Sequence, residues 1–174
     1  MIKQTVGKEI AAAAKKCEVK PSAACIKKIN SAENIEPLCK MFFKEDNWAM
    51  ENDFPSLETL RKFQGKSDEF GLHTDFKGVV GFVKGTEQQA AFFGKSNAEI
   101  ECDPFTAGVV IIRHDSKLKI KADENVFLVV NLMDKAFVEI EAGESSKIVI
   151  HQYGTDSNFR ITGNVEVKEG KFNK

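Results

Sequence analysis

Two short polar runs carry most of the residue types that could do chemistry: Arg113-His114-Asp115-Ser116 and His151-Gln152-Tyr153-Gly154, with Asn131 between them. Each follows an apolar stretch, so each lies where a strand would end. Arg113, His114, Asn131, His151 and Tyr153 would then form a polar patch against a ligand or partner, carbohydrate being the ligand class considered. A histidine beside an aspartate in sequence is not thereby an acid–base pair, because proton transfer depends on geometry. The same residues also read as strands running out into polar turns, with Asp115 and Gly154 as turn formers. That plainer reading is preferred, and no catalytic residue is assigned.

Other chemistries lack their residues. No Gly-x-Ser-x-Gly nucleophile elbow occurs. The three histidines are isolated and the carboxylates scattered, so no metal site and no cofactor are expected. Gly78-x-x-Gly81 and Gly81-x-x-x-Gly85 are not phosphate loops, since no Lys-Ser/Thr follows them. Glu99, Glu101, Glu139 and Glu141 resemble the acidic face of a sugar-acting β-helix, but each is answered by a basic residue one repeat away. A hexapeptide rhythm of the acyltransferase kind is missing. Cys17, Cys25, Cys39 and Cys102 show no paired spacing and read as reduced thiols.

What must position these groups is a repeat. Ala98-Glu99-Ile100-Glu101-Cys102-Asp103, Leu118-Lys119-Ile120-Lys121-Ala122-Asp123, Val138-Glu139-Ile140-Glu141-Ala142-Gly143 and Phe159-Arg160-Ile161-Thr162-Gly163-Asn164 share one pattern, with central isoleucines 20, 20 and 21 residues apart. Each is a half-buried strand with its exit turn. A fixed period near twenty predicts a parallel β-solenoid. Stacking would place Glu99, Lys119, Glu139 and Arg160 in one row and Glu101, Lys121, Glu141 and Thr162 in another. Charge alternates along both rows, so neighbouring coils attract in the intended register and repel after a one-coil slip. An antiparallel β-sandwich is the alternative; it explains alternation along each strand but not a phrase recurring in phase with charge.

Between these strands lie continuous apolar runs, as parallel strands covered on both faces require. Val110, Ile112, Leu128, Val130, Ile148 and Ile150 are expected inside the solenoid. Ile111, Phe127, Val129 and Val149 are expected on the outer face, where the chain's own helices or another subunit must cover them. These four are the candidate interface.

The remaining sequence gives an α+β organisation: residues 1–65 form a helical N-terminal region or cap, 66–97 a transition and first coil, and 98–170 the solenoid repeats of about twenty residues. An apolar stripe predicts a helix from Ile35 to Phe54, with Asn34 placed to cap it and Pro37 in its first turn. Ser56 then caps a short helix from Leu57 to Phe63 that stops at Gly65. Val79-Val80-Gly81-Phe82-Val83 lies one period before Ile100 and predicts a degenerate first coil. Residues 1–30 hold seven lysines, at positions 3, 8, 15, 16, 20, 27 and 28, against Glu9 and Glu18. With no arginine or interleaved aromatic among them they read as a solvated helical face, and no nucleic-acid partner is expected. The overall formal charge is −1. No apolar run is long enough to span a bilayer, and Ile10–Ala14 is too short for a signal segment.

Asp53-Phe54-Pro55-Ser56-Leu57, Arg113-His114-Asp115-Ser116 and the Tyr153-Gly154 ending resemble small uncharacterised β-solenoid proteins of gut Bacteroidota and their phages or mobile elements. That resemblance brings no activity with it; it implies a cytoplasmic or virion-associated product. The functional expectation is a non-enzymatic structural or protein-interaction module, such as a phage accessory protein, that forms a homo-oligomer or binds a protein through its apolar sheet face. A carbohydrate-binding or carbohydrate-acting β-helix protein is the alternative.

Overall fold

The computed structural model describes residues 6–172; Lys3 of the basic run lies outside the described residues. The chain divides into a helical unit ending at Phe70 and a solenoid unit, Gly71–Lys171.

The helical unit contains α1 (Val6–Ala14), α2 (Ala23–Asn30), α3 (Glu36–Lys44), α4 (Asp46–Glu51) and α5 (Leu57–Lys62). Ile10, Ala11 and Ala14 of α1 bury against Ile29 of α2, with Leu38, Met41, Trp48, Phe54 and Phe63 packed around them. The helix expected from Ile35 to Phe54 is two helices, because Glu45 leaves the α region at φ −114° and ψ 31°. The break re-aims the stripe so that Ala49 and Met50 bury, and the Trp48 indole N–H donates to the Val19 carbonyl at 2.7 Å. Asn34 accepts the Glu36 amide at 3.2 Å from one residue before the N-cap position, which Ile35 occupies. Ser56 accepts the Thr59 amide at 3.3 Å and caps α5. Lys8, Lys15, Lys16, Lys20, Lys27 and Lys28 are all exposed. Among the described residues no helix is long and apolar enough to cross a membrane.

The solenoid is built from β1 (Leu72–Thr74), β2 (Lys77–Phe82), β3 (Glu87–Phe93), β4 (Asn97–Cys102), β5 (Ala107–Ile112), β6 (Lys117–Ala122), β7 (Phe127–Leu132), β8 (Phe137–Ala142), β9 (Lys147–Gln152), β10 (Asn158–Thr162) and β11 (Val165–Glu169). Odd strands form a six-stranded sheet in the order β1-β3-β5-β7-β9-β11, and even strands a five-stranded sheet, β10-β8-β6-β4-β2. Every ladder is parallel, which rules out the antiparallel sandwich. Each coil is one strand from either sheet joined by short turns, and the recurring phrase is the strand β4, β6, β8 or β10. Ile100, Ile120, Ile140 and Ile161 stand in register, preceded by Val80, so 79–83 does open the stack.

Val110, Ile112, Leu128, Val130, Ile148 and Ile150 fill the interior as expected, each fully buried. Cys102 takes the place of Ala122 and Ala142 in its row, and burial pushes its thiol up to about 12. The charge rows are also in register: Glu99 faces Lys119, Lys119 faces Glu139, and Arg160 faces Glu139. Their ion pairs are partly diagonal: Lys119 reaches Glu141 at 2.7 Å, Lys121 reaches Glu99, and Arg160 reaches Glu139 at 3.5 Å. Long side chains span the diagonal of a ladder as readily as the direct pair, so alternation within both rows reinforces a single register.

Candidate functional site

The polar residues at the strand ends belong to a ladder of turns. In the turns after β3, β5, β7 and β9 one residue is left-handed: Gly94 (φ 69°), His114 (φ 59°), Asp134 (φ 54°) and Gly154 (φ 78°). Non-glycine residues pay roughly 1–2 kcal/mol to adopt that conformation. Here their side chains offset it by accepting an amide from the coil before. His114 Nδ1 accepts the Gly94 amide at 3.1 Å, and Asp134 Oδ2 accepts the His114 amide at 2.9 Å. Arg113, 7% exposed, donates from Nε to Asp134 Oδ2 at 3.2 Å and from Nη2 to Oδ1 at 3.5 Å. The Tyr153 hydroxyl donates to Asn131 Oδ1 at 3.4 Å, and half-buried His151 sits in register with buried Asn131. The structure thus brings Arg113 to His114 through Asp134, and Asn131 to His151 and Tyr153. These bonds run from coil to coil along the stack, which is the geometry of a structural ladder.

Asp134, absent from the sequence-based candidates, is the acid that ties this ladder together. A second missed feature is the buried hydroxyl column at the turn ends. Ser96 Oγ accepts the Phe76 amide at 3.0 Å and donates to the Phe93 carbonyl at 2.8 Å. Thr106 Oγ1 donates to the Asp103 carbonyl at 2.6 Å, and Ser146 Oγ accepts the Val126 amide at 2.9 Å. Buried turn backbone needs such partners. The signal was available as Ser or Thr at 96, 106, 116, 146 and 157, and the left-handed turn residues stand at 94, 114, 134 and 154.

The expected apolar interface is smaller than its four residues imply. Ile111 and Val149 are 0% and 7% exposed, so neither is available to a partner. Phe127 is 46% exposed and Val129 half-buried, and with Val109 they border an open groove of about 370 Å³ floored by Ala107 and Gly108. Phe105, exposed in the preceding turn at φ 63°, lies along the same groove under the Lys84 ammonium.

A second exposure, of residues in the core-facing rows, occurs at the end of the stack. Among the described residues β10 and β11 stand at one edge of their sheets, as β2 and β1 do at the other, each paired on one side only. Ile161 is in register with Ile140, and Val167 with Ile150, both of which are fully buried. Yet Ile161 is 36% and Val167 38% exposed, and among the described residues no further strand pairs beyond them. Phe159 and Val165 pack against the core beside them and are only partly buried. No protein-family model, characterised protein or solved structure matches the chain.

Proposed function

We propose that this protein is a non-catalytic structural module that joins copies of itself through the open end of its solenoid. The observation that carries this reading is the terminal coil, which leaves two strand edges unpaired and Ile161 and Val167 partly exposed. Unpaired edge N–H and C=O groups are a template for another strand, and adjoining apolar side chains add burial to those bonds. The turn-ladder bonds of Arg113, His114 and Asp134 support a non-catalytic role, since they hold His114 and Asp134 to backbone amides of the preceding coil and Arg113 to the Asp134 carboxylate.

Light scattering of the full chain on a sizing column, across a concentration series, tests the reading. A mass of two chains is expected at the upper concentrations, and a monomer throughout would overturn it. A second reading places the contact on the strip of Phe105, Val109, Phe127 and Val129, favoured by the two exposed phenyl rings beside one groove. Loss of the dimer in a Val129→Glu variant would favour the strip over the terminal coil.

A further inference from the structure

We infer that the terminal coils of two copies join about a two-fold axis, with β11 of each copy pairing antiparallel to β10 of the other and Glu166 meeting the partner's Arg160. This rests on the self-association reading above and specifies its strands, register and symmetry.

Backbone direction comes first. The Asn158 amide donates to Ala136 and the Gly170 amide to Gln152, while Asn164 accepts from Ile148. Even-numbered residues of both strands therefore turn their backbone groups toward the existing sheet. In a regular strand the alternate residues face the other way, so Phe159 and Ile161 of β10 and Val167 and Glu169 of β11 offer theirs to the open edge, while Val165, whose amide donates to the Gly163 carbonyl at 3.1 Å, offers its carbonyl alone. β10 and β11 are consecutive strands on opposite sheets and run in opposite directions. A two-fold axis parallel to the strands thus sets β11 against the partner's β10, antiparallel, and does so twice. Both open edges are satisfied by one operation.

The side chains select the register. Aligning Val165 with the partner's Ile161 and Val167 with the partner's Phe159 pairs residues whose backbones face the edge. All four belong to rows that face the core, in register with Ile148, Ile140, Ile150 and Val138. On the outer face the same alignment sets Glu166 opposite the partner's Arg160. Sliding two residues one way puts Lys168 against the partner's Arg160, a repulsion. Sliding two the other way carries Val167 past the end of β10. The chosen register also continues the row Glu99, Lys119, Glu139, Arg160 with an acid in the next place, so the alternation that aligns coils within one chain extends across the joint.

The experiment compares wild type, Arg160→Glu, Glu166→Arg and an equal mixture of the two variants by light scattering, with circular dichroism melts on each. In either variant alone the two contacts become like-charge pairs, and the mass at the wild-type dimer concentration is expected to halve. In the mixture the untouched Glu166 of one chain meets the untouched Arg160 of the other, and the two substituted positions meet as opposite charges. The dimer mass should return. Val167→Pro removes an edge-facing N–H without touching the β9 ladder and should also halve the mass. A dimeric wild type with either charge variant dimerising equally well, or with a mixture that stays monomeric, would overturn the register while leaving self-association standing. A monomeric wild type would overturn both.

Discussion

Ile120 and Ile161 occupy the same row of the same repeated phrase, so truncating each to alanine measures position in the stack with chemistry held constant. Ile120 is 0% exposed and lies between Ile100 and Ile140. Removing three carbons from a buried site loses about 2.4 kcal/mol at roughly 0.8 per methylene. The cavity left between two coils brings the total to about 3–4 kcal/mol, within the usual range for such truncations. Ile161 is 36% exposed, so about two-thirds of the transfer term is at stake, roughly 1.5 kcal/mol. Little cavity term adds to it, because the open end admits water. Urea unfolding followed by circular dichroism, at a concentration that keeps the chain monomeric, should therefore separate the two variants by about 2 kcal/mol. At the typical urea slope for a small protein this is a midpoint difference on the order of 1 M. Equal losses in the monomer would show that Ile161 is covered within the single chain, and the argument for an open terminal coil would fall. At concentrations where dimers form, the cost of Ile161→Ala should rise while that of Ile120→Ala stays fixed.

Three further outcomes follow from local geometry and charge. Gly143→Ala would place a Cβ 1.6 Å from the Asp123 carbonyl oxygen of the preceding coil, so a loss of about 2–3 kcal/mol is expected, whereas Gly81→Ala meets nothing within 4 Å and should gain about 0.4–1 kcal/mol; matched chemical melts decide it. The Lys119 ammonium holds the Glu141 carboxyl below its ordinary value of 4.5, so its contribution is complete above 4.5 and is lost as pH falls through the lowered folded value; in wild type, but less in Glu141→Gln, the melting temperature should drop over that acid window. Burial pushes Cys39 and Cys102 up to about 11 and about 12, so both stay protonated near neutral pH, and a thiol reagent should label Cys17 and Cys25, whose thiols burial raises less, first; mass mapping of the labelled peptides checks the order.

The solenoid was legible because its stability is periodic. Alternating charge in register with the central isoleucines encodes contacts between coils, so Glu99, Lys119, Glu139 and Arg160 revealed neighbours twenty residues apart. The helix break at Glu45 was not legible, because the apolar stripe on either side of it is the same and only the backbone shows the change. The polar candidates were located correctly at the strand ends, but their partners were missed. Pattern reading weighs side chains, whereas His114, Asp134 and Ser96 bond mainly to backbone amides of the coil before. The candidate interface was legible only in part for a related reason: alternation tells which way Ile111 and Val149 point, not how far that side is covered within one chain. The open end escaped notice because β10 repeats the phrase of its neighbours, and nothing in Phe159-Arg160-Ile161 marks it as the last strand of its sheet.

Among the ways a stack of coils can continue past an open end, translation and rotation about the strand direction differ in what they set against Arg160. In a stacked fold each coil is held by its neighbours alone, so a terminal coil keeps only one of the two interfaces that hold an interior coil. Translation would place the first coil of the next copy on the last of this one, and repetition would give a filament. The residue arriving opposite Arg160 would then be Val79, which occupies the Glu99 row on β2. That contact sets the Arg160 guanidinium beside an apolar side chain that adds no acid to the one it already has in Glu139. Rotation brings Glu166 instead and uses both open edges at once, leaving no copy of the same joint exposed. The two-fold arrangement therefore closes, and mass should plateau at two chains as concentration rises. A mass that kept climbing, with fibres under the electron microscope, would show that translation wins and that the Arg160–Glu166 pairing does not direct assembly.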